Sequence, residues 1–131
     1  MTDDKTAPVS KASRWASYII TTLLMLGLSF SAIMKFVGGA DLANEFTRLG
    51  YNPKIALALG IVEVICALLY VIPRTSVLGA ILLTGYLGGA TATHVRINDP
   101  FFGPVIGGIL VWASLWLRDR RVRDLAPIVN K

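Results

Sequence analysis

The chain has 131 residues, of which 54% are hydrophobic, and its mean hydropathy is +0.62. This balance is wrong for an ordinary soluble domain and typical of a membrane protein. The formal net charge is +5, but the Lys and Arg residues flank apolar runs instead of lining one polar face, which argues against a nucleic-acid partner. The single cysteine and single histidine exclude an internal disulfide, a Cys-x-x-Cys pair and a bis-histidine haem site within one chain.

The first apolar run covers residues 15–37, after a polar stretch at residues 1–13 that we interpret as a cytoplasmic tail. As a helix this run is about 34 Å long, which is enough to cross a bilayer. Gly38 and Gly39 follow it, and glycine readily takes the left-handed backbone that ends a helix. We therefore predict a retained membrane span over residues 15–37.

A short amphipathic helix is predicted over residues 41–50. Asp41 is a suitable N-cap, and Leu42, Phe46 and Leu49 fall at helical spacing on one face. We expect this helix to lie on the surface of the lipid bilayer, folded over the mouth of the bundle.

Three more apolar runs predict spans over residues 54–72, 76–95 and 101–117, with a second tail at residues 126–131. The later two spans carry the small-xxx-small pairs Gly85/Gly89 and Gly103/Gly107, a spacing that predicts close helix contacts. The predicted fold class is an all-α membrane protein. It is a four-transmembrane-helix up-down bundle, with a short amphipathic helix between spans one and two, in one domain over residues 14–125.

The cationic residues are unevenly divided between the two predicted sides of the membrane. More of them lie on the side of the termini and Arg74 than on the side of Arg48, Lys54 and Arg96. The positive-inside rule then places both termini in the cytoplasm of a bacterial-type inner membrane, with His94 facing the exterior or periplasm.

Glu63 lies near the middle of the second predicted span. An ionisable group at that depth costs at least ~2–3 kcal/mol on insertion scales, so we expect it to have a partner or a function. Side chains lean toward the N-terminus of their own helix, so Lys35 and Glu63, on antiparallel spans, lean toward each other. We predict an outward-opening polar pocket with Glu63 at its floor and Lys35 and His94 at its rim. Tyr86, in the middle of the third span, needs a hydroxyl partner if it is buried.

Structural alternatives stay open for each of these residues. A buried Lys–Glu pair can serve only to fix the register of two helices. Lys35 can extend its ammonium to the headgroups, and an interfacial histidine such as His94 is more often a lipid or water contact than a catalyst. Cys66 is expected to pack as a small hydrophobic residue.

Six motifs in this order carry a family resemblance: residues 32–36, 49–53, 59–63, 72–75, 78–90 with His94, and 116–119. Together they resemble the DoxX-like family of small four-helix membrane proteins over about residues 14–125. Ser31 and Ala32 stand where the family usually has a glycine. The resemblance implies that Lys35, Glu63 and His94 occupy the family's polar motif positions. It also implies relatives associated with quinol oxidase, thiosulfate:quinone oxidoreductase and oxidative-stress complexes.

The functional expectation is a protein that binds a lipophilic ligand such as a quinone, or an accessory subunit of a membrane redox or oxidative-stress complex. The candidate ligand-binding residues are Glu63, Lys35, His94 and Tyr86. No cofactor or metal site is evident, the catalytic residues are unknown, and independent catalysis is not expected. Two alternatives are an assembly factor without a ligand and a small isomerase or oxidoreductase that uses Glu63 as acid and base. Redox-complex subunits and a second copy of the chain are possible partners.

Overall fold

The structure, a computed structural model, describes residues 8–125. These residues contain four long helices and two short ones. They are α1 (Lys11–Val37), α2 (Ala40–Arg48), α3 (Ile55–Val71), α4 (Ser76–Arg96), α5 (Phe102–Arg118) and α6 (Arg120–Leu125). No strand occurs among the described residues, and the all-α prediction is confirmed. Helix α1 packs against α3 and α5, and α4 packs against the same two helices, so the four long helices form a bundle with α1 and α4 on a diagonal.

The turns between the long helices use residues with special backbone preferences. Gly38, with φ of 69°, ends α1. Pro73 follows α3, and the Thr75 hydroxyl donates to Leu69 O at 2.7 Å across the turn. Asn98, with φ of 58°, reverses the chain between α4 and α5. Contacts between the end of α1 and α3, and between the end of α3 and the start of α4, show that successive long helices run antiparallel.

One end of the bundle is tightly packed, and we call it the closed end. It contains the start of α1, the α3–α4 turn and the end of α5, and its core is Leu24, Cys66, Tyr70, Ala80, Leu83, Val111 and Leu115. Tyr70 is fully buried and donates its hydroxyl to Val111 O at 2.8 Å. A Cβ added to Gly79 would lie 2.3 Å from Tyr70 N, so α3 and α4 are in backbone contact here.

Hydroxyl groups join α1 to α5 at the closed end. Ser17 Oγ donates to Ser114 O at 2.9 Å, and Thr21 Oγ1 lies 2.7 Å from Ser114 Oγ. Arg118 donates to Tyr70 O at 3.1 Å, with its guanidinium carbon 4.8 Å from the centroid of the Tyr70 ring. Because these polar groups are bonded to one another, the helices are held at fixed positions at this end.

The opposite end, around Gly89 and Gly103, is loosely packed, and we call it the open end. A Cβ added to Gly85, Gly89 or Gly103 would meet no atom within 4 Å, whereas one on Gly107 would touch Leu87 Cδ1 at 3.4 Å. The predicted close helix contacts are therefore wrong at three of these four glycines. Gly85, Gly89 and Gly103 instead border a cavity.

The outer surface of the bundle is apolar. Seven large apolar side chains on α1 are each more than half exposed: Trp15, Ile19, Leu23, Leu26, Phe30, Ile33 and Val37. Helices α1 and α4 are long and apolar enough to cross a membrane, and α3 and α5 are apolar helices of 17 residues each. A surface of this kind is solvated by lipid, which indicates a membrane protein, while the count of four spans stays a prediction.

The starts of α3 and α5 differ from the predicted bounds by one residue each, and those of α1 and α2 differ for identifiable reasons. Helix α1 begins at Lys11, four residues early, because Ser10 Oγ caps it by accepting a hydrogen bond from Ser13 N at 3.2 Å. Gly39, not Asp41, precedes α2, and no side-chain hydrogen bond caps that helix. Asp41 instead lies in the first turn, where a negative charge is favoured by the helix dipole.

Helix α6 was not predicted. Asp119 precedes it and accepts a hydrogen bond from Arg121 N at 2.9 Å, and Arg123 donates to Ser13 Oγ at 2.6 Å, which ties α6 to α1. The predicted tail at residues 126–131, and residues 1–7 of the other predicted tail, lie outside the described residues.

Candidate ligand site

Glu63 lies on the face of α3 that packs against the bundle, and its side chain is only 2% exposed. Gly60, one turn earlier on the same face, would bring an added Cβ to 3.2 Å from Lys35 Cβ. The missing side chain at position 60 therefore lets α1 approach α3 beside Glu63. Lys35 Nζ lies 2.8 Å from Glu63 Oε2, so the structure brings together the two charged residues of the predicted pocket.

Three side chains donate hydrogen bonds to the same oxygen of Glu63. Lys35 Nζ donates to Oε2 at 2.8 Å, Tyr86 Oη at 3.0 Å and Ser31 Oγ at 3.3 Å. Lys35 Nζ also donates to Ser31 Oγ, and to Ser31 O at 3.5 Å. Since an ammonium has three hydrogens, all of its donors have partners within the protein.

The other oxygen of Glu63, Oε1, accepts no hydrogen bond from the described residues. Within that part of the chain, every fully buried side-chain nitrogen or oxygen has a hydrogen-bond partner. Oε1 therefore keeps a small accessible surface, and Glu63 lines one cavity. The carboxylate thus has one oxygen satisfied by the protein and one acceptor open to the cavity.

This cavity has a volume of about 850 Å³ and extends from the open end of the bundle to Leu24 and Val111 at the edge of the closed-end core. The four candidate residues from the sequence, Glu63, Lys35, His94 and Tyr86, all line it. Most of its wall is apolar or glycine, contributed by α1, α2, α4 and α5. Its size falls within the range of small-molecule sites, about 300–1,000 Å³.

The cavity opens on the side of the bundle between α1 and α5. Leu23 and Phe30 of α1 and Ile106 of α5 line it, and they are 61%, 68% and 53% exposed. The hydrogen bonds that join α1 to α5 lie at the closed end, around Ser17 and Ser114. The two helices therefore leave a lateral opening at the other end, on the apolar outer surface.

Helix α2 covers the end of the cavity. Leu42, Phe46 and Leu49, the face predicted from helical spacing, line the cavity, and Phe46 is buried. Beyond α2, Tyr51 Oη lies 2.8 Å from Thr93 Oγ1. The predicted apolar face of this helix is thus directed into the bundle.

His94 lies at the edge of the cavity and belongs to a separate polar group. Its Nδ1 is 3.2 Å from Asp99 Oδ2, which also accepts a hydrogen bond from Arg48 at 2.7 Å. Arg48 also donates to Glu45, and its hydrogen bonds are the main reason that the pKa values of Asp99 and Glu45 are both lowered. Among the described residues, no hydrogen bond joins His94 to Glu63.

Two members of these polar groups were missed in the sequence. Ser31 lies four residues before Lys35, so helical spacing places both on one face of α1, and this signal was available. Asp99 faces His94 because the positive φ of Asn98 turns the chain back, with Asp99 N donating to His94 O at 2.9 Å. No residue pattern in the sequence signals that contact.

The geometry around Glu63 leaves one carboxylate oxygen without a partner among the described residues. Its open oxygen can accept a hydrogen bond, while Lys35, Tyr86 and Ser31 hold the carboxylate in place. No group of three or more His, Cys, Asp or Glu side chains suited to a metal ion occurs within residues 8–125.

One comparison with known proteins gives a match. The model of the DoxX-like family matches residues 19–117, which is more than half of the chain and includes Lys35, Glu63, Tyr86 and His94. The matched region runs from the third turn of α1 to the last turn of α5. No curated protein and no solved structure matches the chain. The chain therefore belongs to the DoxX-like family.

Proposed function

We propose that this DoxX-like protein binds a small lipophilic molecule, such as a quinone, in the cavity beside Glu63. The observation that carries the proposal is the open acceptor of Glu63 in a cavity of about 850 Å³ with mostly apolar walls. A lipid-soluble molecule reaches this cavity through the lateral opening between α1 and α5. Lys35, Tyr86 and Ser31 orient Glu63, and His94 lies at the edge of the site.

The proposal includes four membrane spans. Helices α3 and α5 have 17 residues each and are about 25 Å long, close to the thickness of the hydrocarbon layer. Arg74, Arg118 and Arg123 lie at the closed end, which supports a cytoplasmic location for that end and for both termini, in a bacterial-type inner membrane. The open end and α2 then face the exterior or periplasm.

In this proposal the protein acts as an accessory subunit of a membrane redox or oxidative-stress complex. Glu63 supplies a proton-exchanging group, and electrons come from the bound molecule or from a partner subunit. As an accessory subunit the chain delivers or stores the ligand, and this role requires no catalytic activity of its own.

The test is native mass spectrometry of the protein released gently from its own membranes. We expect a bound lipophile that Gly89→Leu removes, because position 89 borders the cavity and has room for the new side chain. Gly88→Leu is the matched control. It lies one residue away, also has no atom within 4 Å of an added Cβ, and faces the groove between α4 and α5 instead.

A lipophile that both variants retain would place the molecule outside the cavity and contradict the proposal. A protein that carries only another subunit, with no small molecule, would favour the assembly-factor alternative. A tight dimer of two copies of this chain, without a bound ligand, would favour the alternative in which the partner is a second copy of the chain.

A further inference from the structure

We infer that the cavity selects lipophiles that present a hydroxyl group, a hydrogen-bond donor, over molecules of the same shape that offer only an acceptor. This inference rests on the proposed function, because it names the chemical class of the ligand in the same cavity. It depends on which donors and acceptors of the cavity wall already have a hydrogen-bond partner within the protein and which do not.

The donors around Glu63 are all used within the protein. The Lys35 ammonium donates to Glu63 and twice to Ser31, and the hydroxyls of Ser31 and Tyr86 each donate their single hydrogen to Glu63 Oε2. An acceptor-only ligand therefore finds no free donor here. Placed against Oε1, its oxygen would face a carboxylate oxygen and be repelled.

The donors nearer the mouth of the cavity are used as well. Thr93 Oγ1 donates to Gly89 O at 2.8 Å, so Tyr51 is the donor in their hydrogen bond. His94 Nδ1 faces the carboxylate of Asp99, which only accepts, so Nδ1 carries a hydrogen and donates it to Asp99. Glu63 Oε1 therefore remains as an open acceptor in the wall of the cavity.

A hydroxyl group matches this arrangement. It donates to Glu63 Oε1, while the apolar body of the ligand fills the space toward Leu23, Phe30 and Ile106. A hydrogen bond to a charged acceptor is one of the stronger kinds in proteins, and its loss lowers affinity about tenfold or more. For a quinone couple, the form that carries hydroxyl groups is the reduced one, so the ligand of the proposed function is the hydroquinone and not the quinone itself.

The first experiment compares two probes on the wild-type protein in detergent micelles: a long-chain 4-alkylphenol and its methyl ether. They share the ring and alkyl chain and differ in the donor. Affinities are measured by titration calorimetry, with Gly89→Leu as the reference for partition into micelles. We expect the phenol to bind at least about tenfold more tightly than the ether.

The second experiment repeats both titrations on Glu63→Gln. Lys35, Ser31 and Tyr86 still require an acceptor, so the amide oxygen takes the place of Oε2 and the NH₂ group takes the place of Oε1. The open atom becomes a donor, which the oxygen of either probe can accept, so we expect the preference for the phenol to be lost. The thermal unfolding temperature of the variant shows whether it is folded, and the wild-type comparison stands without it.

The outcomes separate this inference from the proposed function. Equal affinities for the two probes, or a preference of the wild type for the ether, would overturn the donor inference while leaving a ligand-binding cavity. If neither probe bound the wild type more tightly than Gly89→Leu, both the inference and the proposed function would fail.

Discussion

Tyr70 at the closed end and Tyr86 at the open end show how the two halves of the bundle differ. Tyr70 is fully buried and donates to the backbone oxygen of Val111, whereas Tyr86 borders a cavity and donates to Glu63. The first hydroxyl serves helix packing, and the second holds a charged side chain beside open space.

Glycine has opposite roles in the two halves. At the closed end, Gly79 allows α4 to touch the backbone of α3. At the open end, Gly85 and Gly89 have no neighbour within reach of an added Cβ, and their missing side chains leave the cavity empty. One glycine-rich helix, α4, can therefore pack tightly against α3 at one end of the bundle and leave room for a ligand at the other.

The largest effect is expected from Gly79→Ala, which would disrupt the closed end. The new Cβ would lie 2.3 Å from Tyr70 N and 2.5 Å from Tyr70 Cα, and backbone atoms cannot move aside as a flexible side chain can. Overpacking of this kind typically costs about 1–3 kcal/mol, and we expect the upper part of that range or more. The measurement is the unfolding free energy in detergent.

Gly88→Ala on the same helix is the control for this substitution. An added Cβ at Gly88 meets nothing within 4 Å, and alanine is favoured over glycine in a helix by about 0.5–1 kcal/mol. We expect unchanged or slightly raised stability. Similar losses in Gly79→Ala and Gly88→Ala would show that the two halves do not differ in packing.

A smaller effect is expected from removing each tyrosine hydroxyl in turn. Tyr70→Phe leaves a fully buried site without its hydrogen bond to Val111 O, and we expect a loss of about 1 kcal/mol. Tyr86→Phe leaves Glu63 with its bonds from Lys35 and Ser31, and water in the cavity can replace the lost donor, so we expect a loss below about 0.5 kcal/mol. Thermal unfolding of the two variants in the same detergent measures both. An equal loss in the two variants would contradict this difference between a packed hydroxyl and a hydroxyl beside a cavity.

The ends of the helices and the facing pair of Lys35 and Glu63 were predictable from the sequence, whereas the packing around the glycines was not. Hydropathy with Gly38 and Pro73 indicated where helices end, and the lean of side chains on antiparallel helices predicted that Lys35 and Glu63 face each other. The roles of Gly79 and Gly89 were not predictable in the same way. A glycine has no side chain to show which face of the helix it occupies, so spacing alone suggested close contacts where there is a cavity.

The parts that were missed depend on contacts between distant segments. Helix α6 is short and rich in arginine, without an apolar period, and its position depends on the bond from Arg123 to Ser13. Asp99 reaches His94 only through the turn at Asn98. Local patterns carry no information on either contact.

The smallest effect is expected at the cover of the open end, where Arg48 of α2 is bonded to Asp99. The hydrogen bond from Arg48, with a smaller contribution from His94, lowers the pKa of Asp99 below its ordinary value of 3.8. A lowered pKa means that the carboxylate stabilises the folded state fully above that ordinary value, and that this contribution is lost as the pH falls through the lowered pKa. Hydrogen exchange of the α2 amides, corrected for intrinsic rates, should therefore be constant from neutral pH to about pH 5 and rise only in stronger acid.

Asp99→Asn separates this ion pair from the other contacts of α2. It removes the charge at all pH values, so α2 should exchange modestly faster at neutral pH and lose part of its acid dependence. The remainder belongs to Glu45, whose pKa Arg48 also lowers. Asp41→Asn is the matched control, since Asp41 lies on α2 and accepts no side-chain hydrogen bond from the described residues. If Asp41→Asn and Asp99→Asn had the same effect, the net charge of the open end, and not the bond from Arg48, would hold α2 over the cavity.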